Sequence, residues 1–252
     1  MLRSDIINQL LKLFESPKYL EIGVWRGDTF HAVLSNNKSA VDPSFQFDKS
    51  APEYNSPGIS YFEQTSNAYF SDHPSNENKF DLIFLDGLHT FEQTLTDLLH
   101  AVDRLRDDGI IIIDDVIPDS YPASMRSEAD CYNFRLSSND PGTHWMGDVY
   151  KLVFFIDTFF LNWTYYTVAE THGQVVMWRK PRLLGQGGSE LVAQTYDKSY
   201  ADAVLARSRF NIRPLGEIIW HFVTSGKDGA RRLKADGTVQ VLPTMDEPEA
   251  PR

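Results

Sequence analysis

The sequence predicts an α/β fold built on a mostly parallel sheet, and two observations carry that expectation. Apolar, β-branched runs end in acid or glycine at Leu20-Glu21-Ile22-Gly23, at Leu85-Asp86-Gly87 and at Ile110-Ile111-Ile112-Ile113-Asp114-Asp115. Runs of that length bounded by turn residues read as strands buried on both faces. Between the second and third runs, Phe91, Leu95, Leu98, Leu99, Val102 and Leu105 recur at helical intervals, so strands alternate with helices. Acids placed just past parallel strands lie at the carboxyl edge of the sheet, where open α/β sheets bind ligands. Asp86, Asp114 and Asp115 are therefore expected to converge.

Met1 to Phe14 reads as an amphipathic helix rather than a signal peptide. After the first strand, Gly23 and Gly27 let the backbone take positive φ and approach a ligand, although two glycines in a strand-turn-helix are also a common structural solution. Bulky Trp25 stands where a dinucleotide turn has glycine, so a pyrophosphate would be poorly cradled. A helix over Thr29 to Leu34 leads to Ser39-Ala40-Val41, which ends at Asp42-Pro43. Asp42 falls about twenty residues past the glycine turn, the spacing of a ribose-binding acid, while Asp-Pro is also an ordinary turn. The third strand is expected over Gly58 to Phe62, with Thr65 and Ser66 suited to cap the next helix. Phe80 to Leu85 and Gly109 to Ile113 are the fourth and fifth strands.

Residues 117–145 show no sustained periodicity, and their position after the acidic pair suggests a lid or substrate wall offering Arg126, Tyr132, Arg135 and His144. Gly147 and Asp148 look like a helix start, with Val149, Leu152, Val153 and Ile156 on its buried face. Asp148 and Lys151 either face an acceptor or cap that helix. Trp163 to Ala169 and Gln174 to Trp178 read as a β-hairpin. Ser199 to Thr224 looks helical with a break near Pro214, and would pack on the domain or on a second copy in a homo-oligomer; from Ser225 onward a flexible tail is expected.

The turn Glu21-x-Gly23-x-x-x-Gly27 resembles the opening motif of class I S-adenosylmethionine-dependent methyltransferases. Asp86-Gly87-Leu88-His89-Thr90-Phe91-Glu92 resembles the signature of a branch of small-molecule and sugar O-methyltransferases, including macrocin-type enzymes and proteins described as cephalosporin hydroxylases. His144-Trp145-Met146-Gly147-Asp148-Val149-Tyr150-Lys151 is similar to a further segment of that branch. The resemblance covers residues 19 to 180. It implies a Rossmann-like seven-stranded, mostly parallel sheet with a closing antiparallel hairpin and helices on both faces. Together with the periodicity beyond it, the expected organisation is a methyltransferase domain over 1–182 with a lid-like insertion at 117–145, a helical extension over 183–224 and a flexible tail over 225–252. The resemblance also implies S-adenosylmethionine as cofactor, with Glu21 near its amino group, Gly23 and Gly27 beneath it, Asp42 on the ribose, Thr65 and Ser66 near the adenine, and Asp86 at the same edge.

Three carboxylates meeting at one edge repel unless protons or a cation intervene. Oxygen-only ligation suits Mg²⁺ or another hard divalent cation. In the catechol-type and macrocin-type relatives the positions matching Asp86, Asp114 and Asp115 bind such an ion. The chemistry implied is in-line methyl transfer to a hydroxyl of a sugar, glycan precursor or secondary metabolite, with His89 or Asp86 taking the proton. A helix N-terminus would hold His89 neutral. Two alternatives stay open: metal-free transfer with His89 as base and the acids structural, or a non-catalytic protein that keeps the cofactor fold as a binding or scaffold module.

Composition narrows the class. The 252 residues suffice for one enlarged α/β domain. A net charge of −11 argues against a nucleic-acid partner, because phosphate binding needs a basic surface. No apolar run is long enough to span a membrane, and the single Cys131 fits a reducing, cytoplasmic setting.

Overall fold

The structure, a computed structural model, describes residues 1–52, 54, 56–74, 79–182 and 191–225, together with the backbone of 231–233 and 239–241. Five parallel strands form its centre: β1 (Lys18–Ile22), β2 (Asn37–Asp42), β3 (Ile59–Glu63), β4 (Phe80–Leu85) and β5 (Leu105–Ile113). The hairpin of β6 (Trp163–Val168) and β7 (Val175–Arg179) closes the sheet, with β7 antiparallel to both β5 and β6. A short strand, β8 (Ile212–Arg213), pairs parallel to β6 and extends the order to β3-β2-β1-β4-β5-β7-β6-β8. The sheet thus has eight strands where seven were expected. The added strand follows a left-handed Asn211 (φ 50°) whose side-chain amide donates to the Tyr165 carbonyl at 2.8 Å, which ties it to the edge of β6.

Alternation along the strands explains why both faces are covered. Leu20 and Ile22 of β1 and Ile111 and Ile113 of β5 face one core, whereas Tyr19, Ile110 and Ile112 face the other. The first core is covered by α3 (Ser66–Asp72), α4 (Phe91–Arg104) and α6 (Lys151–Phe159), through Tyr69, Phe70, Leu98, Ala101, Leu152 and Val153. The second is covered by α1 (Arg3–Leu11), α2 (Asp28–Ala32) and α9 (Leu215–Thr224), through Ile6, Ile7, Leu10, Phe30, Ile218 and Phe222. No helix of the described residues is long and apolar enough to cross a membrane.

Two expectations change in the second half. Residues 117–145, read as irregular, contain a 3-10 turn at Pro122–Ser124 and the eleven-residue helix α5 (Glu128–Ser138). Ser127 caps α5 by accepting from the Asp130 amide, and left-handed Asn139 ends it. Periodicity missed this helix because only Cys131 and Arg135 are buried on it. The helix expected over 199–224 is broken into α8 (Tyr200–Leu205), a 3-10 turn, β8 and α9, preceded by α7 (Val192–Tyr196). Where a tail was expected, Arg231–Leu233 and Val239–Val241 pair as the antiparallel strands β9 and β10; residues 226–230, 234–238 and 242–252 lie outside the described part, as do 183–190 of the extension.

Candidate active site

The strand order reverses between β1 and β4, and a cleft opens there beyond the carboxyl ends of the strands, as topology requires. It is a cavity of about 760 Å³ lined by Glu21, Gly23, Trp25, Asp42, Thr65, Ser66, Asp86 and His89, among others. A volume of that size suits a nucleoside-sized ligand.

The glycine turn is built for the protein before any ligand. Gly23 has φ 84°, and a Cβ there would collide with the carbonyl of Asp86, so β1 and β4 approach each other backbone to backbone. Gly27 has φ 80° and would press a Cβ into the rings of His31 and Phe47. Asp42 has a structural task as well. Its Oδ2 accepts from the Val24 and Trp25 amides at 2.8 Å each and its Oδ1 from the Ser44 amide at 2.8 Å. A carboxylate has roughly four acceptor positions, so one remains for a ribose hydroxyl. Thr65 is the N-cap of α3, accepting from the Ala68 amide at 3.3 Å, and Ser66 accepts from Gln93 at 3.2 Å; both line the cleft. Asn67 and Gln93 join them there, unforeseen from sequence because neither carries a motif.

Glu21 is wholly buried on β1 and accepts from the Tyr19 hydroxyl at 2.6 Å. Burial pushes its carboxyl up to about 8, against the Tyr19 hydrogen bond and the positive charges of Lys38 and Arg3. Lys38 donates to the carbonyls of Phe30 and Val33 at 2.7 and 2.8 Å, closing the C-terminal end of α2.

His89 has a defined orientation. Its Nδ1 lies 3.2 Å from the carbonyl of Trp145, which can only accept, so the proton resides on Nδ1, with Asp115 Oδ2 3.0 Å from the same nitrogen. Nε2 is left with its lone pair, 3.6 Å from Asp86 Oδ1. The ring stacks on Trp145 with centroids 5.1 Å apart. Burial, with a contribution from Arg3, lowers the imidazole below its ordinary value and keeps it neutral. Asp86 and Asp115 are both pushed well above the usual carboxylate range, first by burial and then by their acidic neighbours.

The expected metal trio does not form one ligand set. Asp114 forms an ion pair with Nε of Arg3, from α1, while Asp115 Oδ1 lies 3.7 Å from Nη2 of the same guanidinium. Two overlapping groups take its place, Asp86 with His89 and Asp115, and Asp114 with Asp115 and His172. Consecutive side chains of a strand point to opposite faces, but Asp115 has φ 59°, and this left-handed step lets both acids reach one cation. A guanidinium so near the carboxylates opposes the approach of a dication, and an oxygen-only site is not assembled. The residues therefore do not fit a hard divalent ion as the sequence suggested. Neither Arg3 nor His172 was foreseen, since each reaches the site from an element remote in sequence.

Other expected contacts resolve into structure. Asp148 caps α4 rather than its own helix, accepting from the Phe91 amide at 2.7 Å, with Lys151 at 3.1 Å from its other oxygen. Arg126 pairs with Glu92 at 2.5 Å, and buried Arg135 with Asp140 at 3.0 Å. His144 is exposed beside Asp119, and Tyr132 lines a second cavity of about 680 Å³ that shares Glu128, Thr143 and Trp145 with the first.

Residues 20–116, from within β1 to just past β5, match the family model described as a methyltransferase domain. This stretch is similar to a methyltransferase domain. It contains the glycine turn, Asp42, Asp86, His89 and the acidic pair; Arg3, Trp145 and His172 come from outside it. No curated protein matches the chain. Solved structures similar to it include an O-methyltransferase of Bacillus cereus in complex with S-adenosylhomocysteine, 13% identical, covering 71% of this chain and 80% of that one with a TM-score of 0.48. Another is the O-methyltransferase of tomaymycin synthesis from Streptomyces achromogenes, at 10% identity, 71% and 79% coverage and a TM-score of 0.44.

Proposed function

We propose that the protein transfers a methyl group from S-adenosylmethionine to a hydroxyl of a small acceptor such as a sugar, glycan precursor or secondary metabolite, with His89 as the general base. The observation that carries this reading is the neutral imidazole at the mouth of the cleft, its Nδ1–H committed to the Trp145 carbonyl and its Nε2 lone pair available. S-adenosylmethionine supplies an electrophilic methyl group on a sulfonium. The chain's own residues bind, orient and deprotonate. Glu21 provides a carboxyl for an amino group and Asp42 its remaining acceptor position for a ribose, while Ser66, Asn67 and Gln93 offer polar contacts to a base. The Trp145 carbonyl holds the His89 tautomer, so that Nε2 is the nitrogen that takes the acceptor's proton. Trp145 covers the ring and limits its access to water. Arg3 already meets two of the three acids Asp86, Asp114 and Asp115, so this chemistry runs without divalent-ion assistance.

Calorimetry and thermal unfolding test the cofactor. S-adenosylhomocysteine is expected to bind and raise Tm by mass action, and NAD to do neither. Heat with NAD and none with S-adenosylhomocysteine would sink the reading.

A further inference from the structure

We propose that Arg3 is the resident cation of the acidic edge, occupying the position of a divalent ion against Asp114 and Asp115 and making the site independent of metal. The proposal rests on the preceding reading for its chemistry, but its geometry stands separately. Arg3 opens α1, whose Ile6, Ile7 and Leu10 are fully buried against the sheet, so the guanidinium is carried to the carboxyl edge by a fixed helix. Nε meets Asp114, which is 1% exposed at its side chain, and Nη2 lies 3.7 Å from Asp115 and 3.3 Å from Nε2 of His172. Both carboxyl oxygens of Asp114 lack a hydrogen-bond partner, so the ion pair is what compensates this buried charge. Burial works against the Arg3 charge, but Asp86, Asp114 and Asp115 outweigh it and hold the guanidinium protonated. The Arg3 side chain remains about one-third exposed and lines the same cleft as Asp86 and His89. Its donors can therefore meet an acceptor oxygen bound in that cleft, as a fixed positive charge does for a developing alkoxide.

The test is titration of the full chain with Mn²⁺, followed by electron paramagnetic resonance, alongside S-adenosylhomocysteine calorimetry on the same samples. Wild type is expected to bind no stoichiometric Mn²⁺ and to bind S-adenosylhomocysteine equally with and without chelator. Arg3→Ala should lower Tm and gain a Mn²⁺ site at the vacated carboxylates; Arg3→Lys should recover much of the Tm and bind no ion. Stoichiometric Mn²⁺ binding by wild type would overturn the proposal even where Arg3→Ala fails to fold. So would a folded Arg3→Ala that gains no ion. Failure of S-adenosylhomocysteine to bind wild type would count against the methyl-transfer reading alone, since the Mn²⁺ result does not depend on it.

Discussion

At the scale of single residues, the site depends on two groups whose protonation is set by burial. Glu21 is a carboxyl raised from 4.5 to about 8, so between those values the folded protein holds a proton that the unfolded chain releases. That contribution to stability is fully present below pH 4.5 and is lost as pH rises through about 8. Glu21→Gln should flatten this part of the stability-against-pH curve, read by urea unfolding across the window. A cationic amino group beside Glu21 would favour its ionised form. S-adenosylhomocysteine binding near neutral pH should then release a proton, seen as a heat that varies with the buffer's ionisation enthalpy and vanishes in Glu21→Gln. For His89, replacement by Ala should reduce turnover by about 10²–10⁴-fold while leaving S-adenosylhomocysteine affinity within a few-fold, because the imidazole moves a proton rather than holding the cofactor. Equal losses of affinity and turnover would place His89 in binding instead.

At the scale of elements, close backbone approaches and buried caps hold the edge in place. Gly23 was read as room for a ligand, yet its φ of 84° and the Asp86 carbonyl beside it make it first a contact between the β1 and β4 turns. Gly23→Ala is therefore expected to lower Tm by several degrees without ligand, well beyond the effect of the roughly 0.5 kcal/mol typical of a surface change, and not simply to weaken binding. An unchanged apo Tm with lost affinity would restore the ligand-centred reading. The sequence reads Asp148 as facing an acceptor or capping its own helix, but its carboxylate crosses to the α4 N-terminus and accepts from the Phe91 amide. Asp148→Ala should cost about 1–3 kcal/mol by chemical denaturation, from the lost cap and the unpaired Lys151.

For the whole molecule, the core does not stop at residue 182. Ala203 and Phe210 belong to one buried cluster, and Leu215, Ile218, Phe222 and Val223 to the other. Asp157 ties this extension down: it accepts from the Tyr165 hydroxyl at 3.0 Å, from Arg182 at 2.7 Å and from Arg209 at 2.8 Å, and is almost fully buried. Asp157→Ala leaves two partly buried guanidinium groups without that partner and is expected to cost about 2–3 kcal/mol. A chain cut after residue 182 should lose its cooperative unfolding transition by circular dichroism, since β6 and the α1 face would lose their cover.

The sequence by itself determined the parallel core and the edge on which the chemistry sits. Strand runs such as Phe80 to Leu85, the helix from Phe91 and the acids at Asp42, Asp86, Asp114 and Asp115 all stand where periodicity and turn residues put them, because those signals are local. Tertiary structure decided what neutralises the acids and what orients the base. Arg3 and Asp114 lie at opposite ends of the parallel sheet's sequence, His89 and the carbonyl of Trp145 are 56 residues apart, and no local pattern reports which remote group a folded sheet will bring to its edge. The helix α5 and the strand β8 were hidden for the same reason: the first buries too few residues to show a period, and the second is too short to stand without the edge of β6.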